Sequence, residues 1–188
     1  MANISIKNGI KSGSLLVGNA PFDPSDYESI ATVTVGAGGT SSVTFSSIPS
    51  TYQHLQMRGI FRPPTVSWVI ANFNGDTSAN YSMHDLRGDG SSASAGAAIE
   101  PNVYFILGAA TASNTFAAGV IDILDYANTN KFKTLRSLSG IDTNGGGNID
   151  LTSGSWRNTA AISSIVLTLN SGLSIPQYSQ FALYGILG

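Results

Sequence analysis

Residues 31–45 read ATVTVGAGGTSSVTF, and this stretch carries the pattern that decides the fold. The run ATVTV alternates apolar residues with threonine, and the alternation returns at VTF after a glycine-rich interval. A period of two residues is typical of a β-strand, because successive side chains of a strand point to opposite faces. Two such runs around a GAGG segment predict a β-hairpin.

The same alternation extends along the rest of the chain. In HLQMRGIF (54–61), Leu55 and Met57 face one way and their polar neighbours the other. Similar short runs, bounded by Gly, Asn, Asp or Ser, continue to QFALYGIL (180–187). About nine strands at this spacing predict an all-β fold, an antiparallel, jelly-roll-like β-sandwich that occupies residues 29–188.

Two segments fit this pattern less well. Residues 158–167, NTAAISSIVL, fit both a helical and a strand spacing, and their β-branched residues favour the strand. Residues 91–98, SSASAGAA, show no periodicity and are interpreted as a loop.

Composition excludes several classes of protein. The 188 residues suffice for one domain with a core, and they include no cysteine, which excludes a disulfide scaffold and a cysteine-based zinc site. A charged fraction of 11% and a net charge of −2 do not provide the basic surface that nucleic acid requires. The longest apolar run near the N-terminus is too short for a membrane span, so we expect no membrane partner.

Residues 1–28 differ from the rest and are interpreted as an extended N-terminal arm. The apolar residues of the arm are its candidate partner-binding residues, and they are Ile4, Ile6, Ile10, Leu15, Leu16 and Val17. The alternative is a frayed terminus with one edge strand.

No residue pattern predicts catalysis. The chain has two histidines, His54 and His84, and lacks the G-x-S-x-G motif of a nucleophile elbow. Asp122 and Asp125 are interpreted as a hydrogen-bond acceptor and the start of a turn, because carboxylates three residues apart on a strand point to opposite faces. We therefore expect a protein that is not an enzyme and has no catalytic residue.

Two polar segments invite a metal-site interpretation. Residues 73–90 contain Asp76, His84, Asp85 and Asp89, which could gather as a metal or sugar site, although turn chemistry alone accounts for their positions. Residues 142–150, DTNGGGNID, have nearly the spacing of a calcium loop but lack its final Glu, which favours a glycine-rich turn. We therefore expect no metal and no cofactor.

The aromatic residues suggest one possible contact. Trp156 lies in the polar segment SGSWRNT and is predicted, with Tyr81, to form an exposed aromatic contact. Trp68 lies in an apolar run and is predicted to be in the core. The basic segment KFKTLR (131–136) is interpreted as a solvated strand face or a contact for an acidic surface.

Several longer segments together resemble a known family. The segments are YESIATVTVG, FSSIPSTYQHLQMRG, FNGDTSANYSMHDLRGDG, IDILDYANTNKFKTLRSLSG and FALYGILG. They are similar to β-sandwich virion proteins of tailed bacteriophages of cyanobacteria and marine bacteria, over residues 27–188. Members of that family occur as capsid decoration (cement) proteins and as parts of tail or head fibres.

The resemblance implies a structural virion protein on the capsid exterior, assembled in the host cytoplasm. A decoration protein binds the shell of the major capsid protein, and a trimer suits the threefold positions of a capsid. The alternative is a carbohydrate-binding adhesin module that recognises host surface glycans. The chain contains no heptad or collagen-like repeat from which to build a fibre stalk, which favours the decoration protein.

Overall fold

The computed structural model describes residues 16–17, 20–21, 26–62, 65–108 and 114–188. The described chain is built from β-strands, which in chain order are β1 (Leu16–Val17), β2 (Ala20–Pro21), β3 (Tyr27–Thr34), β4 (Val43–Phe45), β5 (His54–Phe61), β6 (Ser67–Phe73), β7 (Tyr81–Gly88), β8 (Ala93–Glu100), β9 (Val103–Gly108), β10 (Ala117–Leu124), β11 (Lys133–Asp142), β12 (Gly147–Trp156), β13 (Ile165–Leu169) and β14 (Gln180–Ile186).

Twelve of these strands form two sheets of unequal size. The eight-stranded sheet has the order β3-β14-β5-β10-β11-β12-β7-β8, and the four-stranded sheet has the order β4-β13-β6-β9. Every neighbouring pair in both sheets is antiparallel. The predicted antiparallel β-sandwich is therefore confirmed, with twelve strands in its sheets where about nine were expected. The short strands β1 and β2 pair with each other.

The hairpin predicted for residues 31–45 is wrong. β3 pairs with β14 in the eight-stranded sheet, whereas β4 pairs with β13 in the four-stranded sheet. The glycine-rich segment between them is a turn, with positive φ angles at Gly38 and Gly39, but it carries the chain from one sheet to the other. Both runs do form strands, because the alternation reports burial of one face and not the identity of the partner strand.

Of the segment 91–98, interpreted as a loop, residues 93–98 belong instead to strand β8. It pairs along its whole length with β7 and forms one edge of the eight-stranded sheet. None of its residues is buried. Because the strand has no buried face, its sequence lacks the alternation of apolar and polar residues that predicts a strand. Residues 165–169 are a strand, as the β-branched residues favoured.

The core lies between the two sheets. In β5, the residues that alternate inward include Leu55 and Met57, as predicted, and both are almost fully buried. Trp68 is also buried, as predicted, but in a small second cluster that contains Ile70 and Leu107. Among the described residues, no helix is long and apolar enough to cross a membrane.

Candidate functional site

Trp156 and Tyr81 are buried, which corrects the prediction that they form an exposed aromatic contact. The two side chains are 1% and 0% exposed. They stack on each other with ring centroids 6.3 Å apart, and Phe73 meets the Trp156 ring edge-on at 5.6 Å. Trp156 is the last residue of β12 and lies on the inner face of the sheet. The polar residues that surround it in the sequence therefore do not indicate that its side chain is exposed. No aromatic platform for a sugar exists at these two residues.

Asp76 anchors this aromatic cluster from the turn between β6 and β7. Its Oδ2 accepts hydrogen bonds from Trp156 Nε1 at 2.8 Å and from Asn80 Nδ2 at 3.0 Å, and Oδ1 accepts one from the Ser78 backbone. The hydrogen bonds from Asn80 and then Trp156 hold the pKa of Asp76 below its ordinary value. Burial raises the pKa of Tyr81 to about 12. Asp76 is therefore a structural carboxylate.

His54, Asp122 and Asp125 are also engaged in local structure. Asp122 Oδ1 accepts a hydrogen bond from Gln56 Nε2 at 2.7 Å, which agrees with its interpretation as an acceptor. Asp125 begins a turn in which Asn128 N donates to its carbonyl oxygen. His54 Nδ1 accepts a hydrogen bond from the Asp125 backbone N–H at 3.0 Å, which ties this side chain to the turn. No nucleophile is hydrogen-bonded to His54 among the described residues.

The two candidate metal segments combine turns with strand residues, since His84 and Asp85 lie on β7 and Asp150 lies on β12. Residues 89–92 connect β7 to β8, and within this turn Asp89 accepts hydrogen bonds from Ser91 and Ser92. Residues 143–146 connect β11 to β12, and Oδ1 of Asp142, the last residue of β11, accepts a hydrogen bond from Asn144 N. In the part of the chain that the structure describes, no group of three or more His, Cys, Asp or Glu side chains is placed to hold a metal ion.

The segment KFKTLR is not a uniformly solvated strand face. Lys133 is fully buried, and its Nζ donates hydrogen bonds to the backbone carbonyls of Asn128, Lys131 and Thr159. Burial lowers the pKa of Lys133. Lys131 pairs with Asp125, which holds the pKa of that carboxyl below its ordinary value. The predicted basic contact is therefore reduced to Lys131 and Arg136.

The candidate partner-binding residues Ile4, Ile6, Ile10 and Leu15 lie outside the described residues. Leu16 and Val17 form strand β1 by their backbone, and their side chains are also outside the description. The sandwich begins with β3 at Tyr27, within the segment interpreted as the arm.

The outer face of the eight-stranded sheet carries a row of apolar side chains, which we name the apolar strip: the half-buried Val120 and the exposed Leu138, Leu151 and Leu86. They occupy consecutive strands and lie directly opposite one another, so they share a face. Leu138, Leu151 and Leu86 are 45%, 50% and 55% exposed. Exposed apolar side chains that adjoin one another over three strands are typical of an interaction surface.

Strand β12 shows why sequence reasoning missed this strip. Its outward residues Ile149 and Leu151 are exposed, whereas its inward residues Asp150 and Thr152 are buried. Buried Asp150 accepts a hydrogen bond from Arg87 Nε at 2.8 Å and another from Thr152 Oγ1 at 3.0 Å. In most strands the apolar side chains face the core, whereas in this part of β12 the polar side chains do. The alternation of apolar and polar residues does not by itself indicate which side of a strand is buried.

An open groove of about 1030 Å³ adjoins the strip on the same face. Small residues, among them Ala118 and Gly140, form its floor. The larger apolar residues that line it are Ile60, Phe116, Val120, Leu138, Ile141 and Ile149. Arg58 and Tyr184 lie at one end, and the acidic residues Asp89 and Asp142 lie at the other. Leu86 and Leu151 lie outside the groove.

Comparison with known proteins gives no match to a family model, a curated protein or a solved structure.

Proposed function

We propose that this chain is a structural protein of a tailed-phage virion, a capsid decoration or cement protein that binds the shell of the major capsid protein and stabilises it. The single observation that carries the proposal is the apolar strip, because its exposure provides a surface whose burial against another protein is favourable. Removing apolar surface from water contributes about 25 cal/mol for each Å².

The surroundings of the strip support protein binding over catalysis. Leu86, Leu138 and Leu151 lie on central strands of a continuous antiparallel sheet, which holds them in a fixed arrangement. On the same face, Arg58 stacks over Tyr27 and Tyr184, with distances of 5.6 and 5.2 Å to the ring centroids. A rigid apolar surface of this kind fits the preformed surface of an assembled shell.

The remaining parts of the proposal follow from the resemblance. The protein assembles in the host cytoplasm, where its lack of cysteine is compatible with reducing conditions, and it lies on the capsid exterior as a homo-oligomer, a trimer. The adhesin alternative loses the site on which it depended, since Trp156 and Tyr81 are buried.

Binding to shells that lack the protein tests the proposal. The double variant Leu86→Lys, Leu151→Lys places two charges in the strip, and we expect it to reduce shell occupancy at least about tenfold, because each buried lysine must lose its water. The matched control is His84→Lys, Ser153→Lys, which changes the neighbouring cross-strand pair on the same two strands and the same face. Both control residues are exposed.

The control variant should bind within about twofold of the native protein, because surface charges outside a contact have small effects. Native-like binding by the Leu86, Leu151 variant would overturn the role of the strip. No binding of the native protein to any shell, together with binding to host glycans, would favour the adhesin.

A further inference from the structure

We propose that strand β8 is a dimerisation edge, which pairs antiparallel with β8 of a second copy of this chain across a two-fold axis at Gly96. β8 lies at one end of the eight-stranded sheet, and among the described strands it is bonded to β7 alone. The unpaired main-chain groups of a sheet edge are a template for pairing with another chain. The inference concerns the chain in solution and does not depend on the identity of any shell.

The unpaired main-chain groups of β8 belong to every second residue. The turn between β7 and β8 is closed by a hydrogen bond from Asp89 N to the Ser92 carbonyl, so these two residues form a hydrogen-bonded pair. Hydrogen-bonded and non-hydrogen-bonded pairs alternate along an antiparallel ladder, and the register of β7 with β8 has no shift. The residues of β8 that direct N–H and C=O away from β7 are therefore Ala93, Ala95, Ala97 and Ile99.

Strand β8 carries none of the features by which proteins block an exposed edge. It contains no lysine, no proline and no bulge, and its one charged residue, Glu100, is its last. Six of its eight residues are exposed, so little of the strand is covered from either face. Its alanine, serine and glycine side chains are too small to keep a second strand away.

The opposite edge of the sheet is blocked, which favours a second β8 as the partner. β3 pairs with β14 through a bulge that leaves Ile30 without a counterpart, and Glu28 is exposed near the start of the strand. A bulge and a charge both hinder pairing at an edge. A contact between β8 and β3 of another copy is also head-to-tail and forms a ring or an open chain, whereas β8 against β8 closes with two copies.

The sequence of β8 is self-complementary about Gly96. With Gly96 opposite its own copy, Ala95 lies opposite Ala97 of the second copy. Ala93 likewise lies opposite Ile99, and all these residues direct their main-chain groups outward. Each hydrogen-bonded pair exchanges two hydrogen bonds, so the contact contains about eight. Glycine suits the axis, because the side chains of a non-hydrogen-bonded pair approach each other most closely.

Pairing of two β8 strands joins the apolar strips of the two copies. Leu86 lies opposite Ala95 on the outer face, so the strip continues through Ala95 and across the axis into the second copy. The joined strips offer a shell twice the apolar surface of one copy, and this consequence, unlike the pairing, rests on the proposed function. The two-fold contact is distinct from the threefold contact of the proposed trimer and would connect a copy in one trimer to a copy in the next.

Cysteine cross-linking tests the pairing directly, because the chain contains no cysteine of its own. The full-length variant Ala95→Cys is treated with a short bismaleimide. We expect a covalent dimer, because positions 95 of the two copies are diagonal neighbours about 7–8 Å apart. The yield should rise with protein concentration, because a single strand pair buries less than the roughly 1,200–2,000 Å² of a standard interface.

The matched control is Thr32→Cys, which places an exposed cysteine on β3 at the opposite edge of the sheet. It should give at least about fivefold less covalent dimer at the same protein concentration, because the bulged edge does not pair. Equal yields from the two variants, or no dimer from Ala95→Cys, would overturn the proposal.

Two charge variants test the register of the pair. Both are built on the parent Ala93→Cys, Ile99→Cys, whose cysteines lie opposite each other between copies but about 20 Å apart within one strand. Adding Ala95→Lys and Ala97→Lys places like charges opposite each other and should lower the cross-linking rate about fivefold at low salt. Adding Ala95→Lys and Ala97→Glu places opposite charges there and should keep the rate within about twofold of the parent. Equal rates for the two variants, or no cross-link in the parent, would overturn the register at Gly96.

Amide hydrogen exchange supplies an independent readout. The N–H groups of Ala95 and Ala97 point towards the second copy, whereas those of Gly96 and Ala98 point towards β7. Exchange at Ala95 and Ala97 should slow at least about fivefold between about 10 μM and about 1 mM protein, and exchange at the other two should change less. Slow exchange at Ala95 and Ala97 at every concentration would overturn the proposal, since the edge would then be covered within one copy. Fast exchange at every concentration would overturn it as well.

Discussion

Gly59 of β5 and Gly119 of β10 lie directly opposite each other on the inner face of the eight-stranded sheet. A Cβ atom built on either glycine would lie 2.8 Å from the side chain of Ile106, which belongs to β9 of the other sheet. The pair of glycines therefore forms a recess into which Ile106 packs. The recess lies on the inner face of the sheet, opposite the groove on the outer face, and it allows the two sheets to approach each other closely.

The first prediction concerns this recess. Gly119→Ala should lower the free energy of unfolding by about 1–3 kcal/mol, because the added methyl group overpacks the core. Gly88→Ala is the matched control, since a Cβ there meets only an ordinary contact at 3.6 Å. Urea denaturation measures the free energy of unfolding of both variants.

A double-mutant cycle decides whether Ile106 is the cause. Ile106→Ala removes the Cγ1 atom that a Cβ at position 119 would approach, so it should cost less in the Gly119→Ala background than in the native chain. Additive losses in the cycle would show that the strain lies elsewhere.

The second prediction concerns Asp76, which accepts hydrogen bonds from Trp156, Asn80 and Ser78. Asp76→Ala should lower the free energy of unfolding by about 2–3 kcal/mol, because the buried indole N–H loses its acceptor. Asp142→Ala, which removes a carboxylate from an exposed turn, should cost about 1 kcal/mol or less. Equal losses in urea denaturation would contradict the anchoring role of Asp76.

The third prediction concerns the pH dependence of stability. The pKa of Asp76 is held below its ordinary value of 3.8 by the Asn80 and Trp156 hydrogen bonds, so the unfolded chain takes up the proton first as the pH falls. The stabilisation is therefore present above about pH 4 and is lost as the pH falls towards the lower, folded pKa. Unfolding measured from pH 6 to pH 2.5 should show a shallower fall for Asp76→Asn than for the native chain. Parallel curves would exclude a lowered pKa at Asp76.

The fourth prediction concerns Lys133, whose buried ammonium group caps three backbone carbonyls. Lys133→Met keeps the length of the side chain but leaves the carbonyls without this donor, which should cost about 2–4 kcal/mol of stability. Lys131→Met removes an exposed partner of Asp125 and should cost no more than about 1 kcal/mol. Thermal or urea unfolding that ranks the two variants in the opposite order would contradict this assignment.

The sequence predicts strands best where one face is apolar and buried. Leu55 and Met57 alternate with polar residues, and both point into the core as expected. Strand β8 is not predicted, because neither of its faces is buried. The predicted hairpin of β3 and β4 is wrong, because the strands with which they pair lie more than a hundred residues away in the chain. Which strands pair with each other depends on the whole assembled sheet, and the alternation of residues within one strand does not predict it.

The candidate site is harder to predict than the fold. Leu151 and Asp150 are neighbours on β12, and the general rule that apolar side chains face the core assigns the leucine to the core and the aspartate to solvent. The structure places them the other way round, because Arg87 and Thr152 satisfy the buried carboxylate. Trp156 is likewise placed inside by the Asp76 carboxylate, 80 residues away in the chain.

A density map of the assembled virion tests the central claim most directly. We predict that this chain lies on the capsid exterior, with Leu86 and Leu151 of the apolar strip in contact with the major capsid protein. A map in which the chain lies on a tail or fibre, or in which Leu86 and Leu151 face solvent on the capsid, would contradict it.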